Sequence, residues 1–334
     1  MSVFVAGAVP APGVDAPVAW HYGDPLREQR ALTTTAGLVD RSHRDVVTVS
    51  GPDRLPWLHS ICSQHVSELT DGESTESLVL SPHGHVEQHW QVTELGETVW
   101  IDTEPGAAPE VLAYLEKMRF LKRVELADVS HAWAVLSLAG PASADVVRAA
   151  GLPVPEAHHA IALSAGGFIR ATAWPGVGGF DLIVPTGDAE ATSTALVDAG
   201  AAPAGIWAFE ALRVEARRPR LGFETDHRTI PHEVGWIGEA VHLNKGCYRG
   251  QETVARVHNL GKPPRRLVLV YLGGESDVLP APGTPLEADG RVVGFLGTTV
   301  HHHELGPIGL AVVKRSITAA AQITVLGVPV TIED

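Results

Sequence analysis

Lys245-Gly246-Cys247-Tyr248-Arg249-Gly250-Gln251-Glu252 carries one of only two cysteines in the chain, the other being Cys62. Lys245 and Arg249 flank the thiol in sequence, and nearby cations favour thiolate over thiol. Gly246 and Gly250 admit backbone angles and close approaches that a Cβ forbids. Such a segment suits a reactive sulfur on a tight, exposed turn. The plainer alternative is a buried cysteine in a glycine-punctuated turn, since free cysteine packs as a small apolar residue. Local chemistry leaves both readings open.

Downstream of this stretch, Gly261-Lys262-Pro263-Pro264 marks a boundary. Beyond it the pattern turns to short extended runs. Leu267 to Leu272 reads as a strand, Asp289-Gly290 as a hairpin turn, and Ile308 to Val313 and Gln322 to Ile332 as further strands. A small antiparallel β-barrel over 265–334 is expected. Upstream, helices and strands mix. Leu26 to Ala36 reads as a helix and Asp45 to Ser50 as a strand closed by Gly51-Pro52. Pro52 then opens a helix ending near Cys62. Leu78 to Leu80 and Val86 to Val92 form a hairpin across Pro82-His83-Gly84-His85. Pro109 to Phe120 has apolar residues at helical spacing. Ala132 to Leu138, Phe168 to Trp174 and Phe180 to Val184 read as strands, and 142–150, 188–198 and 206–217 as helices.

The chain has 334 residues, with 39 acidic against 25 basic side chains and a formal charge of −14. That length accommodates two or three domains. The charge argues against broad phosphate-driven nucleic-acid binding, which needs lysine and arginine. Two cysteines make no disulfide framework and fit a reducing cytoplasm. No apolar run reaches the 18 residues that a membrane span calls for. Met1 to Val14 lacks the charged n-region of a signal peptide, and residues 1–19 are read as an irregular arm.

The octapeptide resembles the K-G-C-Y-x-G-Q-E signature of the YgfZ family, the folate-binding, iron–sulfur-cluster-related branch of the glycine-cleavage T-protein superfamily. The strand–Gly-Pro–helix unit around Ser50-Gly51-Pro52, preceded by Asp40-Arg41-Ser42-His43, resembles that superfamily's N-terminal pattern. The resemblance runs from about Trp20 to the C-terminus. It implies an α+β, aminomethyltransferase-like fold: two interleaved N-terminal α+β domains over residues 20–260 around a central cavity, then the barrel. The ligand it implies is tetrahydrofolate or a derivative. The role it implies is help in assembling or repairing iron–sulfur enzymes, with iron–sulfur client or assembly proteins as partners and an indirect influence on tRNA modification. A folate-dependent one-carbon transferase acting on an amine is the alternative.

Site residues follow from the same resemblance. Trp174, in Trp174-Pro175-Gly176-Val177-Gly178-Gly179-Phe180-Asp181, stands where the family packs an aromatic on the pterin. Asp181 stands where an acid accepts from its amino-pyrimidine edge, although the family acid is usually glutamate. Arg213 matches a folate-contacting arginine. Read without the family, the three residues make a structural ion pair beside a core aromatic. His89 falls where the transferases carry an aspartate beside the reacting nitrogen, so glycine-cleavage chemistry loses its expected acid. Glu87 shares a face with His89 in an ideal strand. Cys247 is the candidate thiol, with Lys245 and Arg249 as its activating cations and Gly246, Tyr248, Gly250, Gln251 and Glu252 completing the motif. One cysteine cannot hold a cluster by itself. His43, near Asp40, is read as ordering a turn. His301-His302-His303 is a weak candidate for metal, and no metal site is assigned.

Overall fold

The structure, a computed structural model, describes residues 7–273 and 278–333. The mixed α+β expectation holds, and the architecture among the described residues has three large sheets beside one small two-stranded one. The first is antiparallel, with strands in the order Ser74–Leu80, Val86–Leu95, Thr98–Thr103, Asp45–Ser50 and Glu125–Asp128. Val47, Val49, Val92, Val99 and Ile101 turn one face toward the helices Arg54–Ile61 and Ala108–Arg119, where Trp57, Val111 and Leu115 complete a core.

The second sheet runs Ala160–Ala162, Phe168–Thr172, Gly179–Pro185, Trp133–Ala139, Gly37–Asp40 and Ala202–Ala204. Its strand Gly37–Asp40 precedes the whole first sheet in sequence, and its other strands follow it. That insertion interleaves the two units. Helices Ser143–Ala149 and Ala189–Asp198 cover one face through Val146, Val147 and Leu196. The third sheet closes into a six-stranded barrel around Val268, Val270, Leu286, Leu296 and Val313. Its Asp289-Gly290 turn has φ of 49° and 70°, the two left-handed residues that a tight hairpin requires.

Helix Ile206–Glu215 lies between the second sheet and the barrel. Phe209 and Leu212 pack toward the sheet, and Ala211 and Val214 toward the barrel residues Leu269 and Leu310. Every residue of this helix except Trp207 and Glu215 is buried. A helix apolar on all sides is an internal one, so its Glu210 and Arg213 sit inside the molecule. No helix among the described residues is long and apolar enough to cross a membrane.

The irregular-arm expectation needs correction. Residues 1–6 lie outside the described residues. Val9–Pro10 pairs with Ala19–His21 as a two-stranded sheet, and a 3-10 turn at Gly13–Asp15 buries Asp15. The Ala-, Val- and Pro-rich composition gave no periodicity to read. The order comes from a partner about 200 residues away.

Candidate functional site

Where the first sheet, the second sheet and the central helix meet, the protein buries a network of charges. Asp15 Oδ1 and Oδ2 accept from Arg220 Nη2 and Nη1 at 2.7 and 2.8 Å. Arg220 Nε donates to Glu104 at 2.7 Å, and Arg44 Nε to Asp102 at 3.0 Å. Arg170 bridges Asp102 at 2.5 Å and Asp181 at 2.8 Å. Burial raises a carboxyl and the guanidinium partners lower it. For Asp102 the arginines outweigh burial and hold the carboxyl down at about 2. Asp15 is likewise held well below the usual carboxylate range, against burial, by Arg220 and His43.

Within this network is an inner cavity of about 20 Å³, touched by Asp15, His43, His89, Trp174, Asp181 and Arg213. That volume holds one water-sized group. Gln91 lines both this space and an outer cavity of about 500 Å³, walled by Gln64, Glu76, Arg170, Arg218 and Glu239. Two histidines are held by carboxylates on the inner wall. His43 Nε2 lies 2.8 Å from Asp15 Oδ1, and His89 Nε2 lies 2.8 Å from Glu76 Oε2. His89 also stacks on Trp236 at 4.9 Å. Glu76 Oε1 accepts from Trp174 Nε1 at 2.8 Å. Burial pushes the Glu76 carboxyl up, yet His89, Trp174 and Arg218 bring it down to about 2.

Trp174, Asp181 and Arg213 thus come together on one wall, but not as free ligand contacts. Arg213 Nε and Nη2 donate to Glu210 at 3.1 and 2.6 Å, and Nη1 donates to Glu224 and the Arg218 carbonyl at 3.0 and 2.5 Å. Its remaining Nη2 hydrogen goes to Thr298. All five guanidinium hydrogens are taken, so Arg213 locks helix to barrel rather than donating to a folate. Asp181 accepts from Ser137 at 2.6 Å and from Arg170 at 2.8 Å, with Arg41 at 3.7 Å. It anchors buried arginines. Trp174 keeps a face toward the cavity, with Arg218 5.7 Å above its ring.

The octapeptide lies elsewhere, on the surface. Cys247 is exposed and Cys62 buried. Lys245 is buried and tied to backbone carbonyls. Its Nζ donates to the carbonyls of His59, Cys62 and Gln64 at 2.5, 2.6 and 3.0 Å, closing the orphan carbonyls at the end of helix Arg54–Ile61. Burial lowers its pKa. Arg249 pairs with Glu87 at 2.9 Å and lies over the Tyr114 ring. Each of the two cations expected beside the thiol thus has a partner of its own. Glu87 does not share the face of His89 either, because a bulge opposite Val79 and Leu80 breaks the alternation and turns it outward. Tyr248 is buried against Trp236 and Val254, and Gln251 Oε1 accepts from its backbone N–H at 2.9 Å. Gly250 has φ of 82°, and a Cβ there would stand 2.5 Å from the Ser81 carbonyl. Gln251 and Glu252 begin a helix, Gln251–Leu260, that the sequence reading missed.

Residues 6–245 match the family model described as the GCVT N-terminal domain. The chain belongs to the GCVT family. Residues 265–334 match a second model, the CAF17 C-terminal beta-barrel domain. Relatives include an aminomethyltransferase of Geobacillus kaustophilus, 32% identical over 87% of this chain and 83% of that protein. Another, from Herpetosiphon aurantiacus, is 30% identical over 94% of this chain and 88% of its own length. The glycine cleavage system aminomethyltransferase T of Bartonella henselae superposes with a TM-score of 0.88 at 22% identity, covering 98% of this chain and 94% of that one. That superposition establishes the GCVT-like fold.

Sequence reasoning missed Asp15, Arg44, Glu104 and Arg220 on the inner wall of this GCVT protein, and Arg170 on the outer one. It also read His43, near Asp40, as only ordering a turn. Asp40 caps the Ser42 N–H, while the partner of His43 is Asp15. A run with several arginines, Arg217-Arg218-Pro219-Arg220, is the one visible signal of the network. Among the described residues no group of three or more His, Cys, Asp or Glu could hold a metal ion, and the His302 and His303 rings stack on each other.

Proposed function

We propose that this protein is a folate-binding member of the YgfZ-type branch of the GCVT family, and that it assists assembly or repair of iron–sulfur enzymes in the cytoplasm. The observation that carries this reading is the exposed Cys247, presented by the octapeptide on a GCVT chain that ends in a CAF17-type barrel domain. Influence on tRNA modification would run through an iron–sulfur client, since a chain of charge −14 is a poor general partner for RNA.

The inner cavity is too small for a pterin. The outer cavity, at about 500 Å³, lies within the usual size of small-molecule sites. Its Glu76, Gln64 and Gln91 offer acceptors and donors for a heterocycle edge, and Arg218 offers a cation for a glutamate tail. A reduced folate, tetrahydrofolate or a derivative, is the ligand proposed there. Trp174, through Glu76 and Arg218, shapes its floor.

The test is a calorimetric titration of tetrahydrofolate, followed in parallel by tryptophan fluorescence. Arg218→Ala should bind more weakly than the wild type. Unchanged affinity in Arg218→Ala would remove the outer cavity as the site. In cells lacking the protein, Cys247→Ala should be expressed and folded yet fail to restore iron–sulfur enzyme activity. Full rescue would leave the thiol with no role.

A second reading, a one-carbon transferase acting on an amine, is favoured by the named aminomethyltransferases among the relatives. His89, paired with Glu76, fills the place of the expected acid. Robust methylenetetrahydrofolate formation from an aminomethylated carrier protein would promote this second reading over the first.

A further inference from the structure

We infer that the inner cavity is a socket for a single hydrogen-bond donor, and that His43 Nδ1 is the acceptor that reads it. The inference rests on the proposed binding of a reduced folate in the adjoining outer cavity, and it names the contact that the family pattern would have given to Asp181.

His43 is held in place by a carboxylate. Its side chain is 3% exposed, and Nε2 lies 2.8 Å from Asp15 Oδ1. Asp15 is fixed in turn by the two-point contact with Arg220. An ionised carboxylate only accepts, so the His43 Nε2 carries a proton, and in the Nε2–H tautomer Nδ1 is a lone pair. That Nδ1 is buried and finds no hydrogen-bond partner among the described residues. Buried polar atoms are satisfied as a rule, so this one calls for a partner that enters the cavity.

Several charged groups on the wall are already committed to one another. Arg213 has no free N–H. Arg220 directs Nε to Glu104 and both terminal nitrogens to Asp15. Asp181 holds Ser137 and Arg170. The guanidinium groups of Arg41, Arg44, Arg213 and Arg220 are matched on the wall by the carboxylates of Asp15, Glu104, Asp181 and Glu210. The site therefore suits a neutral N–H or O–H better than an ion. Ile206 and Phe209 form the apolar remainder. At about 20 Å³ the space takes one such group and no more. His232 and His303 also have buried ring nitrogens without partners among the described residues, but neither lines the central cavities.

The test compares wild type, His43→Ala and His43→Gln by calorimetry with tetrahydrofolate, and follows the His43 ring nitrogens by 15N NMR in the wild type. The signal is assigned by its loss in His43→Gln. His43→Ala should bind about tenfold more weakly or worse, as for a lost hydrogen bond to a buried acceptor. His43→Gln, whose amide oxygen can accept, should recover part of that loss. In the wild type, the Nε2–H tautomer should be seen before ligand, and the Nδ1 resonance should move on saturation. If wild type binds tetrahydrofolate but His43→Ala binds equally and Nδ1 does not move, the socket is overturned while the folate reading stands. If wild type does not bind tetrahydrofolate, both fall. Should His43→Ala fail to fold, the wild-type Nδ1 response decides alone.

Discussion

The surface loop around Cys247 and the buried cage around Asp15 and Arg213 differ in how they are built. The loop is a contiguous run whose side chains each find a separate local task. Lys245 closes a helix end, Gln251 ties the Tyr248 backbone, and Arg249 meets Glu87 at the surface. The cage draws Asp15, Arg44, Asp102, Arg170, Asp181 and Arg220 from elements up to 205 positions apart. A contiguous motif can be recognised at sight and still be misread in mechanism, because sequence neighbours need not be spatial neighbours. A dispersed network escapes recognition, yet its geometry leaves little doubt about which charge holds which.

Four experiments sharpen the contrast, the largest effect first. Arg213→Ala leaves buried Glu224 without its cation and Glu210 with only the longer Arg220 contact. It should cost about 3–5 kcal/mol of unfolding free energy. Arg249→Ala, by contrast, removes a partly exposed pair and should cost about 0–1 kcal/mol. Urea titrations of the two variants measure both, and equal losses would erase the distinction between cage and loop.

Acid comes next. Glu76 and Asp102 have folded pKa values near 2, depressed from 4.5 and 3.8. In the range between, the unfolded chain binds more protons, so these groups contribute stability above pH 4.5 that is lost as pH falls toward 2. Glu76→Gln should flatten that limb of the stability profile, by on the order of 3 kcal/mol between neutral pH and pH 2. A profile unchanged by the substitution would show that the His89 and Trp174 contacts do not hold the ionised form.

Within the octapeptide the two glycines should behave unequally. Gly250→Ala meets both a positive φ and the Ser81 carbonyl, and should lose roughly 1–3 kcal/mol. Gly246→Ala meets nothing within 4 Å and should stay within about 0.5 kcal/mol. Thermal denaturation of the pair checks this. Finally, iodoacetamide at neutral pH, read by peptide mass, should label Cys247 before Cys62. Exposure alone now carries this expectation, since the flanking cations turn elsewhere. Comparable labelling would mean that the loop does not present its sulfur.

The sequence by itself pointed to the GCVT superfamily, to the α+β character through alternating and helical spacings, and to the barrel hairpin through Asp289-Gly290. These are short-range signals, in which a turn geometry or a period is written into adjacent residues. It also placed Trp174, Asp181 and Arg213 near one another. Only the tertiary structure decided what they do there. Whether Arg213 meets a ligand or Glu210 and Glu224 depends on where the Pro219–Glu224 loop and the barrel residue Thr298 arrive. Whether His43 orders a turn with Asp40 or joins Asp15 depends on a segment without any periodic pattern. An ion pair in a low-dielectric interior is fixed by distance and by what else is buried with it. Neither quantity is recorded in the order of residues along the chain.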